Sequence, residues 1–129
     1  MTPNFEAIAS HYRGSDDKDL DAMMAPITET TEWIEMAGFP YAGAYVGPKA
    51  IVDGVFKRIG EDWDGFAFKL ERLIDGDDAI VAVGNYSGRS VKSGKGMSVR
   101  VVHVWTMKDG KALRFEQFAD TLLFAEAMR

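Results

Sequence analysis

From Phe66 onward the hydrophobic period of this chain becomes two, and that change limits the folds open to it. Before it, apolar side chains mostly recur three and four residues apart. Phe5, Ile8, Ala9 and Tyr12 share a helical face behind Thr2, an N-cap residue with Pro3 at the first helical position, which predicts a helix ending near Gly14. Leu20, Met23, Met24 and Ile27 repeat the spacing after an acidic stretch, so a second helix is expected over about Asp17–Ala25, with Pro26 in the turn beyond it. Thr30–Met36, rich in Thr, Trp and Ile, reads as a first strand, and Gly38–Gly47 as an irregular but packed loop. Gly47-Pro48 opens a third helix with Ile51, Val52, Val55, Phe56 and Ile59 as its apolar stripe and Gly60 as its stop. Alternation of Phe66, Phe68 and Leu70, then strands at about Ala79–Gly88, Met97–Lys108 and Lys111–Ala119 joined by short links, calls for antiparallel hairpins. Helices first and a curved antiparallel sheet after them is an α+β layout.

Loop length in the last hairpin decides which residues share a face. A two-residue Asp109-Gly110 loop would pair Met107 with Ala112 and His103 with Glu116, setting Arg114, Glu116 and Asp120 beside Val99, Val101 and Trp105 and mixing charge into an apolar row. A three-residue Lys108-Asp109-Gly110 loop with Gly110 left-handed instead pairs Trp105 with Leu113, His103 with Phe115 and Val101 with Gln117. We prefer the second. It makes one face of Val99, Val101, His103, Trp105, Met107, Leu113, Phe115, Gln117 and Ala119, on which His103 and Gln117 are the polar members.

A length of 129 residues suits one domain, residues 1–129, with no room for separate cofactor and substrate domains. The absence of cysteine removes disulfides, thiolate metal sites and a cysteine nucleophile, and two histidines argue against a metal site, so neither metal nor cofactor is expected. A net charge of -5 argues against nucleic acid as a partner. The first nine residues lack a secretory layout, and apolar runs such as Ala79–Val83 are too short to span a bilayer; a soluble, cytoplasmic protein without membrane partners is expected. Ser93-Gly94-Lys95-Gly96 lacks the spacing of a phosphate loop, and nucleophile-elbow, zinc-helix and dinucleotide fingerprints are missing.

A buried polar side chain must find a partner, so an inward His103 and Gln117 imply a satisfied polar core, water, or a ligand in an apolar pocket. If Trp33 points inward, period two sends Glu35 the same way, and burial then disfavours its charge and fits it for proton transfer near neutrality; Glu32 takes its place in the opposite phase. Tyr12 on the first helix offers a hydroxyl to a neighbour or ligand. Trp33, Tyr45, Phe56, Phe66, Phe68, Tyr86, Val101, Trp105, Phe115 and Gln117 are the candidate pocket walls. Asp120 before Thr121 reads as the N-cap of a C-terminal helix.

Tyr12–Leu20, Trp33-Ile34-Glu35, Tyr45-Val46-Gly47-Pro48-Lys49-Ala50-Ile51, Gly76-Asp77-Asp78, His103-Val104-Trp105 and Asp109-Gly110-Lys111 resemble the SnoaL-like, ketosteroid-isomerase-related branch of the NTF2-like superfamily, over nearly the whole chain. The resemblance implies a cone of curved sheet wrapped by helices, a hydrophobic pocket in its mouth, a small hydrophobic ligand and a homodimer. Glu35 matches the place of the ketosteroid isomerase base, with Glu for the usual Asp. A histidine, His103, stands at or near the place of that family's protonated oxyanion-hole acid. The family's helical tyrosine lands on Tyr12 or, one residue earlier, on His11, and Gln117 falls where epoxide-hydrolysing relatives carry an aspartate. The implied activity is acid/base chemistry of isomerase, cyclase or hydrolase type with Glu35, His103 and Tyr12 as catalytic residues; the alternative is a noncatalytic binding module or dimerisation scaffold.

Overall fold

A computed structural model of the chain describes residues 2–129. Thr2 accepts a hydrogen bond from the Phe5 amide at 3.1 Å and starts α1 (Pro3–Asp16). The helix runs through Gly14 rather than ending there. A side chain at Gly14 would meet Ala22 Cβ at 2.7 Å, so the missing methyl is what lets α2 (Leu20–Met24) pack against it. Asp19, not Asp17, caps α2, because Lys18 turns the chain with a φ of 55°.

The sheet is built from β1 (Glu32–Glu35), β2 (Gly43–Val46), β3 (Trp63–Asp75), β4 (Ala79–Ser90), β5 (Gly96–Lys108) and β6 (Lys111–Ala119) in the order β2-β1-β6-β5-β4-β3. All neighbours are antiparallel except β1 and β6, which run parallel. The stretch expected as one loop thus contributes an edge strand, β2, paired residue for residue with β1. Its sequence hides this: Gly43, Ala44 and Val46 are exposed, so no alternation marks it. The third helix is α3 (Pro48–Ile51), a π-helical turn (Val52–Phe56) and α4 (Lys57–Asp62), so Gly60 does not stop it. Asp120 accepts from the Leu123 amide and caps α5 (Thr121–Ala127). No helix of the described residues is long and apolar enough to cross a membrane.

The register of the last hairpin corrects the sequence reading. The loop is the two-residue Asp109-Gly110 turn, both residues left-handed at φ 51° and 78°, pairing Lys108 with Lys111 and Met107 with Ala112. A bulge at Leu113 then restores the alternation, so that Trp105 pairs with Phe115 and His103 with Gln117. The inward face keeps every expected member except Leu113, which is half exposed while Ala112 is buried in its place.

These registers set polar and apolar rows side by side across the sheet. Glu35, Gln117, His103 and Ala82 are neighbours on β1, β6, β5 and β4; the adjoining row is Trp33, Phe115, Trp105 and Ile80. Bulges at Asp64–Ala67 and Leu70–Arg72 bend β3 toward the helices. Asn4 ties α1 to the tips of the β3–β4 and β5–β6 hairpins, donating to Asp77 O at 2.9 Å and accepting from the Gly110 amide at 2.7 Å. On β4, a Cβ at Gly84 would lie 2.4 Å from Lys69 O and 2.5 Å from Phe68 Cζ. Gly84→Ala is therefore expected to destabilise the protein by about 1–3 kcal/mol through overpacking, displacing the Phe68 ring; urea unfolding measures it.

Candidate functional site

Between the concave sheet face, α1, α2 and the α3–α4 stretch lies a cavity of about 610 Å³. Its walls are aromatic and aliphatic: Trp33, Phe56, Phe66, Phe68, Tyr86 and Phe115, joined by Trp63, Val55 and Ile59, with exposed Asp16, Lys18 and Leu20 at the rim. Glu35, Tyr12 and His103 all reach this one cavity, from the end of β1, the inner face of α1 and the middle of β5. So does His11, which the sequence offered only as the alternative to Tyr12; it packs edge-on against Tyr12 and Trp105 at 4.8 Å from each. Trp63 and Gly65 escaped notice because β3 begins three residues before its alternation does.

Four expected wall residues do not line the cavity. Tyr45 faces the π-helical turn, where a Cβ on Gly54 would lie 2.2 Å from its ring, and its hydroxyl donates to Tyr41 O at 2.7 Å. Val101 is buried in the row between Gly84 and Ala119. Trp105 and Gln117 are fully buried behind the wall, where they support the residues that do line it.

That support is a continuous chain of hydrogen bonds from Trp105 to Gln117. Trp105 Nε1–H donates to Tyr12 Oη at 2.9 Å; Tyr12 Oη lies 2.6 Å from His103 Nδ1; His103 Nε2 lies 2.6 Å from Tyr86 Oη; and Gln117 Nε2–H donates to Tyr86 Oη at 3.2 Å. Both ring nitrogens of His103 are thus taken, and the imidazole presents only its face, stacked on Phe68 at 4.8 Å. Burial, with the neighbouring His11 adding to it, holds His103 down at about 3, so it is neutral. His11 is also neutral. Burial lowers it to about 4 against the hydrogen bond that Nδ1–H donates to Met23 O at 2.7 Å, which leaves the bare lone pair on Nε2.

Glu35 is 4% exposed. Burial pushes its carboxyl up to about 8, against a weaker pull from the Trp33 indole, whose N–H has no hydrogen-bond partner among the described residues. Burial and the nearby Glu35 charge hold the Tyr86 hydroxyl well above the usual phenol range, and burial does the same for Tyr12. The arrangement pairs one titratable carboxyl with a neutral, hydrogen-bonded phenol and imidazole cluster in an apolar hollow, the composition needed to move a proton at carbon and hold the resulting charge.

A curved sheet wrapped by helices around such a hollow is the NTF2-like fold. An NTF2-like protein from Burkholderia thailandensis E264 is similar over 100% of this chain and 98% of its own, at 50% identity and a TM-score of 0.95. TerC, co-crystallised with polyporic acid, is 28% identical over 98% of each chain, with a TM-score of 0.87. An NTF2-like protein of unknown function from Burkholderia pseudomallei K96243 shares the fold alone, at 20% identity over 99% of this chain and 98% of that one and a TM-score of 0.90. Among curated proteins none matches the chain. The profile of the SnoaL-like domain matches residues 8–115, so this chain belongs to the SnoaL-like family of the NTF2-like superfamily.

Proposed function

We propose that this SnoaL-like protein is a small-molecule enzyme in which Glu35 takes a proton from a carbon next to a carbonyl of a flat hydrophobic substrate. The observation that carries the reading is the Glu35 carboxyl, buried in an aromatic cavity that pushes its pKa up to about 8. A base is most effective with a pKa near the working pH, and about a tenth of such carboxyls are ionised at pH 7. The carbon–hydrogen pair moves onto the carbonyl as an enolate, whose charge the hydroxyl network anchored by His103 and Tyr12 offsets. Returning the proton to another carbon completes an isomerisation; attack of the enolate on a second carbonyl, whose oxygen then takes the proton back from Glu35, completes an aldol cyclisation. Co-crystallisation of TerC with polyporic acid supports a flat, oxygen-bearing aromatic as the ligand class.

Exchange of the α-hydrogens of 2-tetralone in D2O, followed by proton NMR, tests the base without knowledge of the natural substrate. Acceleration by the protein that Glu35→Gln removes, with 2-tetralone affinity kept, supports the enzyme; binding without acceleration supports the noncatalytic module instead. We also propose a homodimer through the outward sheet face, where Val81, Val83, Val102 and Val104 are only half buried and Phe118 is 44% exposed. Sedimentation velocity is expected to give twice the chain mass of 14.3 kDa, and a monomer at micromolar concentration removes that assignment.

A further inference from the structure

With Gln117 presenting Nε2–H to Tyr86, which leaves Gln117 Oε1 without a partner among the described residues, the proton count around His103 does not close inside the network. A neutral imidazole has one N–H and one lone pair, and each phenol has one proton. Were Tyr12 and Tyr86 both to donate to His103, the ring would need two lone pairs; so one tyrosine donates to it and the other accepts from it. The accepting hydroxyl keeps its own proton for a partner outside the network. For Tyr12 no such partner stands ready: among the described residues its oxygen meets only Trp105 Nε1 and His103 Nδ1, and the rings of Phe68, His11 and Trp105 surround it. Tyr86 likewise receives one N–H, from Gln117 Nε2, but it stands on the Glu35 side of the hollow: Gln117 is the β6 neighbour of Glu35 on β1, and Tyr86 and Glu35 both line the cavity.

We propose that Tyr86 turns its hydroxyl proton out of the network into the cavity, as the hydrogen-bond donor to an oxygen of the bound ligand. Tyr12 then donates to Nδ1 of His103, His103 donates from Nε2 to Tyr86, and the Tyr86 oxygen accepts twice. This alignment runs one way from Trp105 to the cavity, each bond polarising the next. It makes Tyr86 the group that touches the ligand oxygen, with Tyr12 and His103 as positioning residues behind it. The ligand class follows: a flat aromatic or conjugated molecule bearing a carbonyl, enolate or phenol oxygen, its ring between Phe66, Phe68 and Trp33. The inference deepens the proposed enzyme, and its role in turnover rests on that reading; the donor assignment itself does not.

Two measurements decide it. In protein labelled with 15N at histidine, ring correlation spectra are expected to show His103 as the Nε2–H tautomer; the Nδ1–H tautomer overturns the proposal and hands the free proton to Tyr12. This needs no variant. Affinities for 2-naphthol and naphthalene, equal in shape and different in one oxygen, are expected to differ by about tenfold in the native protein, the worth of one good hydrogen bond. Tyr86→Phe, which keeps the ring against Phe66 and Phe68, is expected to bring that ratio to about one. A ratio unchanged in Tyr86→Phe, or 2-naphthol binding no better than naphthalene to the native protein, overturns it. An intact naphthol preference together with no acceleration of 2-tetralone exchange would remove the enzyme and leave the donor.

Discussion

Glu35→Gln is expected to slow 2-tetralone exchange by about two to four orders of magnitude, the usual worth of a positioned general base, and at the same time to make the protein more stable above pH 8. The second effect follows from linkage. Burial holds the Glu35 carboxyl at about 8 when folded, against its ordinary 4.5 when unfolded, so between those values the folded chain holds a proton that the unfolded chain has released. Stability contributed by this group is full below about pH 4.5, falls as pH rises through that window, and is lowest above 8. At about 1.36 kcal/mol per unit, the accumulated cost is on the order of 5 kcal/mol. Glutamine resembles the protonated acid and never ionises, so the variant should match the native protein near pH 5 and exceed it increasingly toward pH 9.

The two histidines bend the curve the other way. His11 and His103, lowered by burial from 6.5 to about 4 and about 3, stay neutral in the folded chain while the unfolded chain takes up protons below pH 6.5. Their contribution is lost as pH falls from 6.5 toward those values. Taken together, the three groups place the native maximum near pH 6.5; Glu35→Gln removes the alkaline limb and steepens the acid one. Urea titrations from pH 4 to 9 read both limbs; parallel native and variant curves above pH 6.5 would show that Glu35 ionises freely and remove the base from the mechanism.

How far the sequence reaches depends on whether a feature is local. The inward phase of Trp33 and Glu35 needs only period two, and β6 is bounded as its alternation and the Asp-Gly turn predict, over Lys111–Ala119. The bulge at Leu113 is not local. Both Ala112 and Leu113 are apolar, and only hydrogen bonds to the segment between α2 and β1 decide which goes in: Pro26 O receives the Ala112 amide, and Ala112 O receives the Thr31 hydroxyl at 2.6 Å. Since the expected and actual pairings differ by two residues, the inward face survived the error, and His103 and Gln117 stayed on it. Tyr45 shows the opposite limit. An aromatic in a glycine-bearing loop reads as a pocket wall, yet Gly54, nine residues away on a π-helical turn, opens the space that draws it aside. Nor does anything near Tyr86 in sequence reveal that it meets His103. That contact spans two inward rows of the sheet, from the Tyr86–Val99 row to the Ala82–His103 row, across the side-chain-free Gly84.

His103→Leu is expected to cost on the order of 2–5 kcal/mol, more than its size suggests, because of what it strands. Leucine fills the space against Phe68 and Phe115 but offers nothing to Tyr12 Oη, whose proton then has no acceptor, while Tyr86 keeps only Gln117. Each stranded buried group costs about 1–3 kcal/mol. The size of the loss alone would not separate a broken network from a badly filled core, whereas a double-mutant cycle does. Tyr12→Phe removes the very hydroxyl that His103→Leu orphans. The pair Tyr12→Phe and His103→Leu should therefore be less destabilised than the sum of the two single variants, by about 1–3 kcal/mol, with only the Trp105 N–H left unpaired. Additive losses in urea unfolding would mean that the short Tyr12–His103 contact contributes nothing to stability, and the ordered proton chain from Trp105 to the cavity would lose its middle link.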